Sequence, residues 1–303
     1  MTGNAAGEPA RTRISRADIV TDSILRTILP GSPRARYRVM TWLGFVVHKL
    51  RGRERLESRL RRFNDQWSSD QLRRMAMQIA MRRRLRQHLM SNLYKGRFEA
   101  LAQTVESMDA DEILARYREK RPTILVMCHL GFPVVVLAGL HRLGIEMTTL
   151  VSAPLSDRFP NHPATIDVIP TEDHPALGGG ALKKSLDCLR AGGMLVIAVD
   201  GPRGRSTIDT TFFGHRIALR RGTAVLARIS QAAVYPVVGR WQPDGGNLEL
   251  RLFTRVDWGS AAVDSTDAFE REFCAAACEW FEDYLRREPY DVTSEILHLC
   301  DIH

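Results

Sequence analysis

The sequence predicts an α/β protein: a mainly parallel mixed sheet with crossover helices, preceded by an Arg-rich helical N-terminal region. Three observations predict it. Short apolar runs recur after Pro122, at 123–128, 146–151, 166–169, 194–199, 233–238 and 248–253. Helical stretches at 132–143, 179–191 and 221–230 lie between them, and alternation of strand and helix is the pattern of a parallel sheet with crossovers. Before Pro122 the texture changes, and arginines interleave with leucines at one-turn spacing.

Residues 1–15 are small and polar and are expected to form a disordered tail. Residues 16–120 are expected to be a basic helical region, and 121–303 an α/β core in one compact unit with it. Leu72, Met75, Ile79, Leu85, Leu89 and Leu93 recur near one-turn spacing, with Arg73, Arg74, Arg82, Arg83, Arg84 and Arg86 between them. Ser68, Ser69 and Asp70 can cap that helix. Leu101 to Lys120 predicts a further helix, stopped by Arg121-Pro122. At the other end, Asp267 to Arg287 reads as an amphipathic helix carrying Phe269, Phe273, Trp280, Phe281 and Tyr284.

Charge divides the chain. Residues 11–97 hold 22 Lys/Arg against 6 Asp/Glu, while the remainder holds 21 against 29, within a net charge of +8. That asymmetry points to a polyanionic partner for the N-terminal third: an anionic membrane surface, RNA or a phosphorylated carrier. A solvated Arg-rich helical face is the bland alternative. Val39 to Leu50 is the most membrane-like stretch, but twelve residues are too few to span a bilayer. Flanked by arginines, it can lie in an interface or form a buried helix. The first ten residues lack an apolar core, so no secretory signal is expected. Five cysteines without a CxxC pair read as reduced thiols of a cytoplasmic protein. No metal site is expected. The localisation that follows is cytoplasmic, peripheral at the inner face of the cell membrane.

Two strand ends carry chemistry. The run from Thr123 to Cys128 ends on His129, followed by Leu130-Gly131-Phe132-Pro133. A His at the carboxyl end of a strand stands where ligands meet an open α/β sheet, and imidazole is suited to taking a proton at neutral pH. Cys128 is its neighbour, but strand alternation points the two to opposite faces, against a Cys–His nucleophilic pair. The run from Met194 delivers Val199-Asp200-Gly201-Pro202-Arg203-Gly204 to its end, with an apparent helix opening at Gly222. Such a segment can present backbone N–H groups and a guanidinium to a phosphate or oxyanion. A base at one strand end and an anion grip at another point to group transfer. His141, His162, His174 and His215 lack metal spacing and are given no role.

Together these pieces resemble the lysophospholipid-acyltransferase superfamily, and most closely its lipid A biosynthesis (HtrB-like) acyltransferase branch. The resemblance is carried by Ile124 to Gly131, by the helix Ala181 to Leu189 before Gly192-Gly193, and by Val199 to Gly204. Phe212-Phe213-Gly214, Arg221-Gly222-Thr223 to Ala227 and the strand Ala233 to Val237 complete it. It spans roughly residues 50 to 290. It implies an enzyme that moves an acyl group from a CoA or acyl-carrier-protein thioester to a hydroxyl or amine, with no cofactor and no covalent intermediate.

By that resemblance His129 is the general base and Arg203 contacts a phosphate or oxyanion. Gly201 and Gly204 allow close backbone approach, Arg205 is a second grip, and Arg220 or Arg221 a third. Asp200 orients Arg203 or His129. The family places an acid five residues after its His, and here that residue is Val134. Asp157 or Asp200 could replace it in space, and a carboxylate restored at 134 is expected to be tolerated. Two other functions fit the residues: acyl transfer to a small amine from aminoacyl-tRNA, the basic region tracking RNA, and a non-catalytic lipid- or carrier-binding protein on the same fold.

Overall fold

The computed structural model of the chain describes residues 53–94, 97–152, 162–171, 178–200, 206–242, 247–256 and 265–300, with scattered helical positions between 35 and 46. The tail 1–15 and most of Val39 to Leu50 lie outside the described residues. The basic region contributes α1 (Arg53–Phe63) and the 26-residue α2 (Ser69–Tyr94). A capping box starts α2: the Gln71 N–H donates to Ser68 Oγ at 3.2 Å, and the Ser68 N–H donates to Gln71 Oε1 at 2.8 Å. Leu72, Met75, Ile79, Leu85 and Leu89 are buried, as their spacing predicts.

The expected helix from Leu101 to Lys120 is a correction. That stretch holds the end of α3 (Phe98–Ala102), a strand β1 (Val105–Met108) and α4 (Asp111–Arg118). β1 pairs in parallel with a distant strand, Val105 opposite Leu248, and a partner that far along the chain overrides local periodicity.

Then follow β2 (Thr123–Met127), α5 (Pro133–Arg142), β3 (Met147–Ser152), β4 (Ile166–Thr171), α6 (Gly178–Arg190) and β5 (Met194–Ala198). A hairpin of β6 (Thr207–Phe212) and β7 (His215–Arg220) precedes α7 (Arg221–Ser230), β8 (Ala233–Trp241) and β9 (Leu248–Leu252). The chain closes with α8 (Thr266–Arg287), a 3-10 turn at Pro289–Asp291 and α9 (Ser294–Leu299). The hairpin was not legible in advance. Its turn residues Phe213 and Gly214 both have positive φ, 48° and 75°, as a two-residue hairpin matching the strand twist requires. Phe213 holds this unfavourable conformation because its N–H donates to Glu282 Oε1 at 2.6 Å and its ring packs on Phe63.

The seven-stranded sheet has the order β1-β9-β8-β2-β5-β3-β4. Every neighbouring pair is parallel except β8 with β9, so the sheet is mainly parallel and mixed. Burial follows the strand period. Ile124, Val126, Leu195, Ile197 and Val234 join one core with α1, α7, α8 and the first half of α2. Leu125, Met194, Val196 and Tyr235 join a second core with α5 and with Leu85 and Leu89 of α2. Helices therefore cover both faces, and α2 passes from one face to the other between Ile79 and Leu85.

Candidate active site

The chain leaves β2 through α5 toward β3 on one side of the sheet. It leaves β5 through the hairpin and α7 toward β8 on the other. Adjacent strands whose connections diverge make a switch point, and their carboxyl ends open a crevice there. β2 and β5 are paired in parallel up to Met127 opposite Ala198. His129 and Asp200 each lie two residues further on, so the register sets them side by side.

Asp200 grips His129 twice. The His129 main-chain N–H donates to Oδ2 at 2.8 Å, and the ring Nδ1 lies 2.8 Å from Oδ1. The Asp200 side chain is 2% exposed and the imidazole 32%. Burial alone would raise the Asp200 pKa, but the charge and hydrogen bonds of His129 outweigh it and hold the carboxyl below its ordinary range. An ionised carboxylate only accepts, so Nδ1 carries the proton and Nε2 keeps a free lone pair. Burial acts to lower the imidazole pKa in turn, and the Asp200 charge and hydrogen bond overcome it, so His129 is a stronger base than free imidazole. Arg86 opposes that rise and Glu295 adds to it.

The turn after His129 is clamped from behind. Gly131 adopts φ +51°, and a Cβ there would run into the Gly239 carbonyl. Its N–H donates to the Asp291 carbonyl at 2.9 Å, and the Phe132 N–H donates to the Gly239 carbonyl at 2.7 Å. The Thr293 hydroxyl donates to the His129 carbonyl at 2.5 Å. Buried Asp291 accepts from the Tyr284 hydroxyl at 2.5 Å and pairs with Arg82. Arg86, one turn along α2, pairs with Glu295 at 3.0 Å. Reading the sequence missed Arg82, Arg86, Asp291, Thr293 and Glu295. In sequence Arg82 and Arg86 look like the neighbouring α2 arginines; their pairing with Asp291 and Glu295 is a tertiary contact.

The remaining expected site residues divide. Val134, in the position of the family's acid, is 4% exposed inside the second core. A carboxylate restored there would be buried among aliphatic side chains, which corrects the expectation that it is tolerated. Asp200 orients His129 from the neighbouring strand instead. The Cys128 thiol is pushed well up by burial and then by Asp200, which removes it as a nucleophile. Arg221, expected as an anion grip, pairs with Glu270 and Asp267 of α8. The Arg220 N–H donates to the Val199 carbonyl at 3.3 Å. Gly201, Arg203, Gly204, Arg205, Asp157 and His174 lie outside the described residues. His141 sits between Thr165 and Glu99, and His215 stacks on Phe63. Among the described residues no group of three or more His, Cys, Asp or Glu is arranged to hold a metal ion, and no helix is long and apolar enough to cross a membrane.

No family model and no curated protein matches the sequence. Among solved structures, the crystal structure of the 1-acyl-sn-glycerophosphate (LPA) acyltransferase PlsC from Thermotoga maritima is similar at 13% identity and a TM-score of 0.37. The likeness covers 84% of this chain and 98% of that one.

Proposed function

We propose that the protein is an acyltransferase. It moves an acyl group from a CoA or acyl-carrier-protein thioester to a hydroxyl or amine, with His129 as general base and Asp200 as its orienting acid. The observation that carries this reading is the double hold of Asp200 on His129 at the switch point of the sheet. Asp200 fixes the tautomer, so His129 Nε2 takes the acceptor's proton as that oxygen or nitrogen attacks the thioester carbonyl. The C–S bond then breaks, the thiolate leaves, and the proton passes from His129 to it. No atom of the enzyme becomes acylated. Gly201, Arg203, Gly204 and Arg205 directly follow Asp200 in sequence and are assigned the oxyanion or a substrate phosphate. Val134 in the position of the family's acid would favour a non-catalytic protein, and the Asp200 carboxylate 2.8 Å from His129 Nδ1 supports the catalytic reading instead.

The test is a donor panel on wild type and His129→Ala: acyl-CoAs, acyl-carrier proteins and aminoacyl-tRNAs, each scored for acyl release to water or a simple amine. Release with a thioester that depends on His129 is the expected result. Release from aminoacyl-tRNA alone would give the reaction to the RNA-linked alternative, and no release from any donor would overturn the reading. Association with an anionic membrane surface belongs to the same proposal and rests on the excess of 22 basic over 6 acidic residues in 11–97. Anionic vesicles should sediment the protein at low salt and release it at high salt. Sedimentation indifferent to lipid charge would count against it.

A further inference from the structure

Arg82 and Arg86 of α2 both pair with the chain segment that follows α8. Helix α2 joins one core through Leu72, Met75 and Ile79 and the opposite core through Leu85 and Leu89. It must therefore pass the margin of the sheet between those residues, and Arg82 and Arg86 meet the segment that clamps the His129 turn. Arg82 meets it at Asp291, whose carbonyl accepts the Gly131 N–H. Arg86 meets it at Glu295, two residues beyond the Thr293 that holds the His129 carbonyl. Two residues of chain reach about 7 Å at most, and the charges of both Arg86 and Glu295 act on His129.

The two ion pairs differ in what they can do. Asp291 is 2% exposed and also takes the Tyr284 hydroxyl, so Arg82 is fixed. Glu295 is 48% exposed while Arg86 is 17% exposed. The Glu295 carboxylate, which also accepts from the Ser294 hydroxyl at 3.0 Å, faces water and can swing out, but the more buried guanidinium cannot leave. A half-buried guanidinium also disfavours proton uptake by a neighbouring base. An arginine that weakens the base and holds a detachable partner is suited to receiving an anion.

We propose that Arg86 is an additional anion-binding residue of the His129 site, taking a phosphate group of the substrate in exchange for the Glu295 carboxylate. The proposal rests on the acyl-transfer reading for its substrate but not for its test. Arg86 presents a planar donor fork suited to phosphate oxygens. The bound phosphate neutralises the cation beside His129, so substrate binding itself strengthens the base. Glu295 fills the fork when no substrate is present and excludes weaker anions.

The experiment follows His129 by NMR in the full-length chain, titrated with inorganic phosphate, CoA and ethyl phosphate. Bound phosphate should raise the His129 pKa in wild type. Arg86→Gln should weaken that response about tenfold or more, and Glu295→Gln should strengthen it roughly two- to fivefold, because the internal competitor is gone. A response to CoA but not ethyl phosphate assigns the site to the donor, and the reverse assigns it to the acceptor. A phosphate response unchanged in Arg86→Gln, or weakened in Glu295→Gln, would overturn the proposal. So would the absence of a response to all three anions. Arg86→Lys, which keeps the charge without the fork, guards against misfolding and should respond between wild type and Arg86→Gln. Failure here with His129-dependent acyl release intact would leave the acyl-transfer reading standing. A normal phosphate response with no acyl release from any donor would sink that reading alone.

Discussion

Two buried carboxylates in this protein hold a basic side chain of almost equal exposure, and only one of those side chains can exchange a proton near neutral pH. Asp200 holds His129, 32% exposed, and Glu270 holds Arg221, 35% exposed. At Glu270 the partner is a guanidinium, which has no lone pair and stays charged at any working pH. It ties α7 to α8 and can do little else. At Asp200 the partner is an imidazole whose second nitrogen carries a lone pair that can take a proton, and whose charge changes near neutral pH. Exposure and pairing do not distinguish chemistry from architecture here. What distinguishes them is whether the paired group has a second face able to exchange a proton.

The sharpest way to break that comparison is to remove both basic partners. His129→Ala is expected to lower turnover by roughly 10²- to 10⁴-fold with the fold intact, checked by single-turnover acyl release beside circular dichroism. Arg221→Ala is expected to lower the Tm by stranding the Glu270 carboxylate while turnover per folded molecule is largely kept. A loss of turnover as deep as that of His129→Ala would return Arg221 to the site and erase the distinction.

Asp200→Asn sharpens it further. Losing the carboxylate is expected to cost on the order of 10²- to 10³-fold in turnover, since the tautomer and orientation of the base are lost. The folded pKa of His129 lies above its ordinary value through Asp200. In wild type the neutral base is therefore won only as pH rises through that raised value, and activity climbs across it. In Asp200→Asn burial and Arg86 remain, so an NMR titration should find the His129 pKa lowered. The linked stability has a definite sign. The raised His129 pKa stabilises the fold below the unfolded imidazole value, and that contribution is lost as pH rises through the folded value. The depressed Asp200 pKa stabilises above the unfolded carboxyl value and is lost as pH falls through the folded one. A His129 titration unchanged by Asp200→Asn would refute the pairing.

Smaller effects test the frame around the site. Val134→Asp should destabilise by about 3 kcal/mol, because it buries a carboxyl without a partner; urea unfolding measures it, and a neutral result would show room for an acid there. Thr293→Val should cost about 1 kcal/mol, losing the bond to the His129 carbonyl and the cap of α9. Its unfolding midpoint should fall, and Thr293→Ser should restore it.

The sequence by itself determined the alternation of apolar strands and helices after Pro122, and with it a mainly parallel mixed sheet. It also placed His129 and Asp200 just past the ends of their strands. Those are local properties, written in periodicity and in where an apolar run stops. Local pattern failed at β1 and at the β6–β7 hairpin. Val105 to Met108 is a strand only because β9 lies beside it, and Phe213 tolerates positive φ only because Glu282 and Phe63 hold it. The tertiary structure alone decided which acid serves His129. Position 134 is five residues away in sequence and faces a core; position 200 is seventy-one residues away and adjacent, because β2 and β5 pair in register. The same holds for Arg86, one arginine among many until α2 crosses between the two cores. Register and crossing depend on long-range burial, whose free energy is summed over both faces of the sheet and is not encoded at any single position.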